Sequence, residues 1–530
     1  MEAPNDVVTH YGVGKTLVIT AVASSSFHEK GSWQAITLTS GNLVIETGSF
    51  VGEVTKNGGT LENNGVIAKA ISGTDASAGI TGTGITNIIS SDTSIKVGNA
   101  ETLMNLAMAQ STGVFGDVAL NIELTADINL TGRTWIPFGA KFTPEVASKH
   151  YRFSGVFDGK NHKIIGLNNG DYYGAMSTNS SGVTGDTYGF IAYTLGDVEV
   201  KNLTFEAVNI NASNAKICGV VIGDTSDEGA FGTCVINNQQ VVAIKYYTDS
   251  LKLTNVNVNG TVNGKDKVAG LIGYTRYMKP STSETTASIV IDSCNVNANL
   301  TASGSRAGGL IGHLGDGSQV EVKNSSVSGE VKSADVYNGN LFGRADGNQA
   351  RLKRFIIVTN FSANATTSNI KAGNTTNEND KNGNYIALKN TAGKKLGATR
   401  TAIANEGTVE NTFTLTLDEN EGVDGHCGFY EQFISTGIGV TTYINANATS
   451  GIYITEGLNM DYTVNSNNVI QNFVIYSGTF YNTFNPVQYI PGRTNETLTS
   501  NGSITIGEYT ITRASHPEIG CAVYTVTKNN

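Results

Sequence analysis

Four stretches between residues 202 and 343 repeat one pattern: KNLTFEAVN…GVVIG, TNVNVNGTV…GLIG, DSCNVNANL…GLIG and KNSSVSGEV…NLFG. With Asn202, Asn255, Ser293 and Asn324 placed in one column, the residue opening the second half (Gly219, Gly270, Gly309, Asn340) follows at a nearly constant spacing. The distance from each closing glycine to the next start is irregular: it is long from Gly223 to Asn255, shorter from Gly273 to Ser293 and shortest from Gly312 to Asn324. A constant half joined to a variable half is what stacked structural units with loops on one side produce. Such a unit buries little alone and needs its neighbours.

Along the constant half, alternation points Leu203 and Phe205, Val256 and Val258, Cys294 and Val296, and Ser325 and Val327 inward. Stacking places like on like, so these columns become apolar stripes. The outward Asn and Ser columns are placed to form ladders of amide hydrogen bonds. Composition agrees with a chain of many strands and tight turns. Glycine is abundant (62), proline scarce (7), and charged residues make up only 15%, against about 25% in an ordinary soluble domain. Disorder does not follow, because the 39% hydrophobic content is spread regularly.

Residues 1–95 read as a separate β-rich module, with TLVITAVA and WQAITLTSGNLVIETGSFVGEV alternating at period two. Within it, after GGTLENNGVIAKAI, the run SGTDASAGITGTG at 72–84 reads as a linker or loose coil. One helix is expected, from Asn99 to about Gln110, with Asn99 as cap, Glu101 in the first turn, and Leu103, Leu106, Ala107 and Met108 on its apolar side. Its position suits a cap over the first unit of the stack in residues 96–350. Residues 351–530 keep strand-like runs without the repeat and read as further units or a sandwich-like module, with 366–397 as a long polar excursion.

The order of capping helix, LTADINL (Leu124–Leu130), W-x-P-x-G (Trp135–Gly139), FSGVFDGKNHKIIGL (Phe153–Leu167) and then GLIG at Gly270–Gly273 and Gly309–Gly312 resembles bacterial surface proteins carrying GLUG motifs. The resemblance covers about residues 97–345; GVVIG at 219–223 and NLFG at 340–343 depart from the motif. It implies an all-β chain built as a right-handed parallel β-helix, secreted or displayed on the cell surface, adhesin-like, with no catalytic residues to carry over. The expected partner is then a host or environmental glycan or a matrix protein, and no cofactor is expected. The start MEAPNDVVTHYG lacks an apolar core, so the chain reads as intracellular or, preferably, as a mature segment with an added Met.

The net charge of −10 and the absence of a basic stripe argue against nucleic acid; Arg351, Lys353 and Arg354 read as a solvated turn. No apolar run is long enough to span a membrane. The five cysteines (Cys218, Cys234, Cys294, Cys427, Cys521) show no metal spacing. Cys294 reads as a buried filler, and Cys427 with Cys521 as a candidate disulfide.

Parallel β-stacks also carry polysaccharide lyases and hydrolases, and glycoside hydrolysis needs two carboxylates about 5–10 Å apart. Here Asp292 and Glu321 read as isolated, Asp266, Asp316 and Asp335 as turn residues, and DGKNHKI at 158–164 as a structural turn. His28-Glu29 does not continue to HExxH, His313 reads as a corner residue, and GVGKT at 12–16 lacks the phosphate-loop spacing. The acidic runs at 418–427 and 378–383 miss EF-hand spacing and read as solvated loops, so no metal is expected. The candidate ligand-binding residues are Tyr246, Tyr247, Tyr274 and Tyr277, placed on variable loops where rings can stack on sugars or anchor a protein. The leading reading is a non-enzymatic extracellular surface protein acting in adhesion or as a spacer. The alternatives are a polysaccharide-active enzyme and a bacteriophage fibre or virion decoration protein.

Overall fold

The computed structural model describes residues 2–3, 7–22, 27–90, 93–116, 118–140, 151–170, 187–225, 248–275, 278, 287–314, 320–334 and 337–345. Further described segments are 231–236, 239–244, 356–369, 398–402, 412–417, 443–446, 452–464, 469–481, 486–493, 497–515 and 522–529. The chain is mostly β-strand in parallel sheets, with one α-helix among the described residues.

In the N-terminal part, successive strands alternate between two parallel five-stranded sheets. Val8, Phe27, Leu43, Leu61 and Ile80 stand in one column, at nearly even intervals along the chain. Leu17, Ile36 and Val54 form another. Between the sheets lies a core containing Phe27, Leu38, Ile45 and Ile67, each at most 1% exposed. The run read as a linker is part of this stack: Ile80–Thr81 and Ile85–Thr86 are the last strand of each sheet. Its Asp75 pairs with Lys56, whose side chain is fully buried and therefore requires an anionic partner. Glycine and small polar residues mark tight corners here, not slack.

The helix α1 spans Ala100–Ser111, and the Asn99 side chain accepts from the Thr102 N–H at 2.9 Å. Leu103, Leu106, Ala107 and Ala109 are buried, while Met108 is half-buried. The helix joins two bodies of structure. Asn105 donates to the Lys30 carbonyl and Gln34 to the Thr112 carbonyl on the N-terminal side. On the other side the Gln110 amide donates to Arg152 O at 2.9 Å and accepts from Gly139 N at 2.7 Å. One core cluster runs from Phe50 through α1 to Phe361. Its densest part is aromatic: Trp135 stacks on Phe190 at 5.0 Å, and Phe138, Phe153, Phe157 and Phe205 close around them.

Beyond it, each repeat contributes three kinds of strand that pair with their counterparts in the next repeat, all parallel. The long strands are Ile191–Ala212, Thr248–Gly264, Ile289–Asp292 with Asn295–Ala302, and Val320–Ser333. Three-residue strands follow at Ile217–Gly219, Lys267–Ala269, Arg306–Gly308 and Tyr337–Gly339. Short strands at Ile222–Asp224, Ile272–Thr275, Ile311–Leu314 and Phe342–Ala345 complete the units. The GLIG glycines sit where these last two ladders meet. A Cβ at Gly270 would lie 2.6 Å from the Gly309 carbonyl, and one at Gly312 would lie 2.7 Å from the Gly273 carbonyl. Close packing of chain on chain excludes a side chain there.

The column that opened the sequence alignment is a corner. Asn202, Asn255, Ser293 and Asn324 have φ of 51°, 53°, 56° and 51°, and Asn161 in the preceding strand has 66°. A left-handed residue breaks the strict inward–outward alternation, so the inward residues flanking it are three apart: Val200 and Leu203, Leu253 and Val256, Ile291 and Cys294, Val322 and Ser325. Asparagine tolerates this conformation because its amide bonds locally. Asn255 donates to Asn202 at 3.2 Å and to Asn161 at 3.3 Å, Asn202 donates to Asp158 at 3.1 Å, and Asn324 donates to Asp292 at 3.2 Å. All the inward residues expected from alternation are at most 3% exposed, Ser325 being the polar one.

The repeat extends one unit past its last sequence signature. Ile356–Ala363 and Thr366–Asn369 pair in parallel with Val320–Ser333. Pairing then turns antiparallel, and an eight-stranded sheet is assembled mainly from residues 443–528. That sheet includes Phe231–Ile236 and Gln239–Ile244, a hairpin from the longest variable loop.

Replacing Asn255 by alanine is expected to cost about 1–2 kcal/mol, from left-handed backbone strain and lost amide bonds. Asn255→Gly, which relieves the strain, is expected to cost less than about 1 kcal/mol. Thermal melts of the two variants check the order.

Candidate functional site

The corner divides the outward surface of the long strands into two chemically different faces. Ahead of it stand Glu199, Lys201, Lys252, Asp292, Glu321 and Lys323, which pair across and along strands. Glu199 holds Lys201 at 3.0 Å and Lys252 at 3.1 Å; Lys323 lies 3.5 Å from Glu321 and 3.8 Å from Asp292. The two carboxylates that look isolated in sequence therefore share one ammonium. Burial raises the Glu199 carboxyl, but bonds from Lys201 and Lys252 outweigh it and hold the group below its ordinary value.

Past the corner the outward rows are almost uncharged. One row reads Thr204, Asn257, Asn295, Ser326, and the next Asn259, Asn297, Ser328. Two more read Asn209, Thr261, Asn299, Glu330 and Asn211, Asn263, Thr301, Lys332. Asn295 donates to Asn257 at 2.9 Å, Ser326 to Asn295 at 2.7 Å and Ser328 to Asn297 at 3.2 Å. Neighbouring strands lie about 4.8 Å apart and outward residues of one strand about 6.8 Å apart. The face is a lattice of amides and hydroxyls, with its charges at the edges: Glu206 paired with Lys163 at 2.6 Å at one, and Glu330 paired with Lys332 at the other.

At the first unit the lattice meets a cleft of about 460 Å³, lined by Thr131, Asn168, Asn169, Ala207, Asn209 and Asn211 among others. Ala207 occupies a bulge between Phe205 and Val208 and has φ of 51°. The turn opposite is held by its own side chains. Asn168 donates to Arg133 O and Gly166 O, each at 2.9 Å, and accepts from Gly170 N at 3.1 Å. Asn169 accepts from Asn211 N at 2.8 Å and donates to Asn211 O at 3.2 Å.

Of the tyrosines proposed from sequence, Tyr246, Tyr247 and Tyr277 lie outside the described residues. Tyr274 lies within the strand Ile272–Thr275, half-buried, stacked on His313 with ring centroids 4.5 Å apart and with the Lys267 ammonium 5.1 Å from its ring centre. His313 is likewise in a strand and 3% exposed, because Tyr274 and His313 are register partners. Asp316, Asp335, Arg351, Lys353, Arg354, both acidic runs and the side chains of Cys234, Cys427 and Cys521 also lie outside the described residues.

The remaining charged side chains bond within turns or to neighbouring strands. Asp158 accepts from Lys160 N at 2.9 Å and from the Asn202 amide, closing the DGKN turn; burial raises its carboxyl, and these bonds with the Lys160 charge bring it below the ordinary value. His162 and Lys163 N both bond Asp127 in the preceding turn of the chain. Asp266 is raised by burial and lowered further by the charges of Lys267 and Arg306. Gly12–Thr16 lies at the start of the strand Val13–Ile19, with no phosphate-loop geometry. Among the described residues, no group of three His, Cys, Asp or Glu side chains is placed to hold a metal ion, and no helix is long and apolar enough to cross a membrane.

In the N-terminal stack, Glu29 is fully buried, with His10 Nδ1 2.9 Å away and with Trp33 Nε1 and Gly31 N each donating at 2.6 Å. His28 pairs separately with Glu46 at 2.6 Å. Burial raises the Glu29 carboxyl more than its partners lower it. A raised carboxyl binds its proton more tightly in the folded state, so its stabilising contribution is lost as pH rises through that value. The melting temperature of the wild type relative to Glu29→Gln is expected to fall as pH rises above the ordinary carboxylate range of about 4.3, as measured by parallel thermal melts.

Cys218 and Cys294 are free and buried, and burial pushes each thiol up to about 12. Neither is expected to react with a thiol reagent at about pH 8 until the protein is unfolded. Mass mapping of labelled peptides distinguishes them from the other cysteines.

No family model matches the chain, and no curated protein does. Among solved structures, the chain is similar to one described as "a putative immunoglobulin A1 protease from Bacteroides ovatus", at 15% identity and a TM-score of 0.34. The match covers 55% of this chain and 82% of that one, a likeness too loose to bear on activity.

Proposed function

We propose that this chain is a right-handed parallel β-helix of the GLUG-motif kind, displayed outside a bacterial cell, that binds an external ligand without chemically altering it. Support for the architecture comes from the strict rotation of long, three-residue and short strands through successive units, all paired in parallel. Crossovers between parallel strands are right-handed in about 98% of cases, which supports a right-handed coil. The observation that carries the function is the amide and hydroxyl lattice past the asparagine corner. The adjacent outward face of the same strands carries paired charges instead, so stacking alone does not dictate an uncharged surface. An open, regularly spaced set of donors and acceptors with charge only at its edges matches a ligand rich in hydroxyl groups, and surface glycans are such ligands.

The non-enzymatic reading rests on how the outward carboxylates are used. Glu199, Glu321 and Asp292 each bond lysines on a flat face, and Asp158 closes a turn. The full chain, incubated with a glycan and matrix-protein array, is expected to bind saturably with no product released. Asn295→Ala/Asn297→Ala is expected to weaken binding about tenfold, two hydrogen bonds being worth roughly 1.4 kcal/mol together. Product release, or unchanged binding by the variant, would overturn the proposal.

A further inference from the structure

We infer that the cleft at the first unit is the primary subsite of the lattice and takes the end of an uncharged, hydroxyl-rich saccharide chain, an inference that rests on the ligand-binding reading above. Elsewhere the lattice is an open face, and an open array of amides grips a ligand from one side only. At the cleft the same rows gain a wall. Asn209 and Asn211 are exposed on the strand, and the turn carrying Asn168 and Asn169 stands opposite. That turn is already rigid, because both asparagine side chains are spent on backbone partners. Binding against these two side chains therefore loses little entropy at the turn itself.

Three observations fit a saccharide terminus. The volume of about 460 Å³ is that of a small-ligand site and fits one or two sugar rings. The lining contains Thr, Gly, Asn and Ala and neither an ammonium nor a carboxylate, so nothing in it compensates a charged ligand. The extra residue Ala207, left-handed at φ 51°, belongs to this unit and is missing from the two that follow. There, Val258 to Val296 and Val296 to Val327 pair without a bulge. Ala207 stacks on Gly166 of the preceding turn, itself left-handed at φ 72°, so the irregularity runs through both turns that border the cleft, and at Ala207 it is held at the cost of a strained non-glycine residue. The small Cβ of Ala207 offers an apolar spot for the C–H face of a ring between amide-bearing neighbours.

The test is isothermal titration of the full chain with neutral hexose tetrasaccharides (glucan, mannan and galactan fragments) and with uronic-acid tetrasaccharides. At least one neutral tetramer is expected to bind one per chain and at least tenfold more tightly than any acidic one. Asn209→Ala/Asn211→Ala is expected to weaken that binding at least tenfold, since the backbone bridge from Asn169 to Asn211 is untouched. Asn209→Trp, which fills the cleft, is expected to abolish it; unchanged melting temperatures establish that both variants fold. Binding retained within twofold by both cleft variants but lost in Asn295→Ala/Asn297→Ala would overturn the subsite and leave the lattice reading standing. Preference for the uronic acids would overturn the ligand class. No binding to any saccharide would overturn both.

Discussion

The left-handed corner at Asn202, Asn255, Ser293 and Asn324 governs the repeating part of the chain. A strand with strict alternation has one inward and one outward face and turns no sharp corner. One residue at positive φ lets two inward side chains stand three positions apart, so the strand bends while both arms keep their apolar residues in the core. The same position must repeat in every unit, or the registers on the two sides would slip against each other. Asparagine meets both demands. It accepts the backbone conformation, and its amide reaches the residue stacked on it, so Asn161, Asn202 and Asn255 are joined through side chains as well as through the sheet. Ser293 keeps the conformation but bonds its own neighbour Asp292, which then accepts from Asn324.

Much of this is legible in the sequence because stacking turns a spatial column into a sequence spacing. The inward residues Leu203, Phe205, Val256, Val258 and Val296 follow from alternation, and α1 follows from Asn99, Glu101 and its apolar spacing. The N-terminal stack is harder to read. Its units recur at nearly even intervals, but Phe27, Leu43, Leu61 and Ile80 share only apolarity, so no motif announces the period. Its last unit is composed like a linker because short strands with tight corners select glycine, serine and threonine. The contribution of a loop hairpin to the C-terminal sheet is invisible for a different reason: strand partners as far apart in the chain as Thr233 and Val469 leave no local pattern.

The candidate site is legible only in part. Asparagine columns facing outward are visible in NVNVNG and NVNANL, and their ladders follow from stacking. The cleft is not, since it depends on one bulged residue, Ala207, and on a turn whose asparagines look like any other turn asparagines. Tyrosine attracts attention because aromatic rings so often bind sugars. Tyr274 instead stacks on its register neighbour His313, because residues that follow GLIG by one position are still within the strand.

The division of the outward surface at the corner bears on what the stack exposes. Exposed ion pairs contribute little to stability, about 0–1 kcal/mol each, and weaken with salt. The charged face is therefore a solvated surface whose charges largely neutralise each other, and it offers a ligand few unspent groups. On the other face each amide in a ladder uses one donor or acceptor on its neighbour and retains others, since an asparagine side chain carries two donors and two acceptor positions. Amide ladders thus hold their side chains in fixed places without exhausting their hydrogen-bonding capacity. Order at the surface without saturation is what a hydrogen-bonding receptor for a neutral ligand needs, and in this fold it arises from stacking alone.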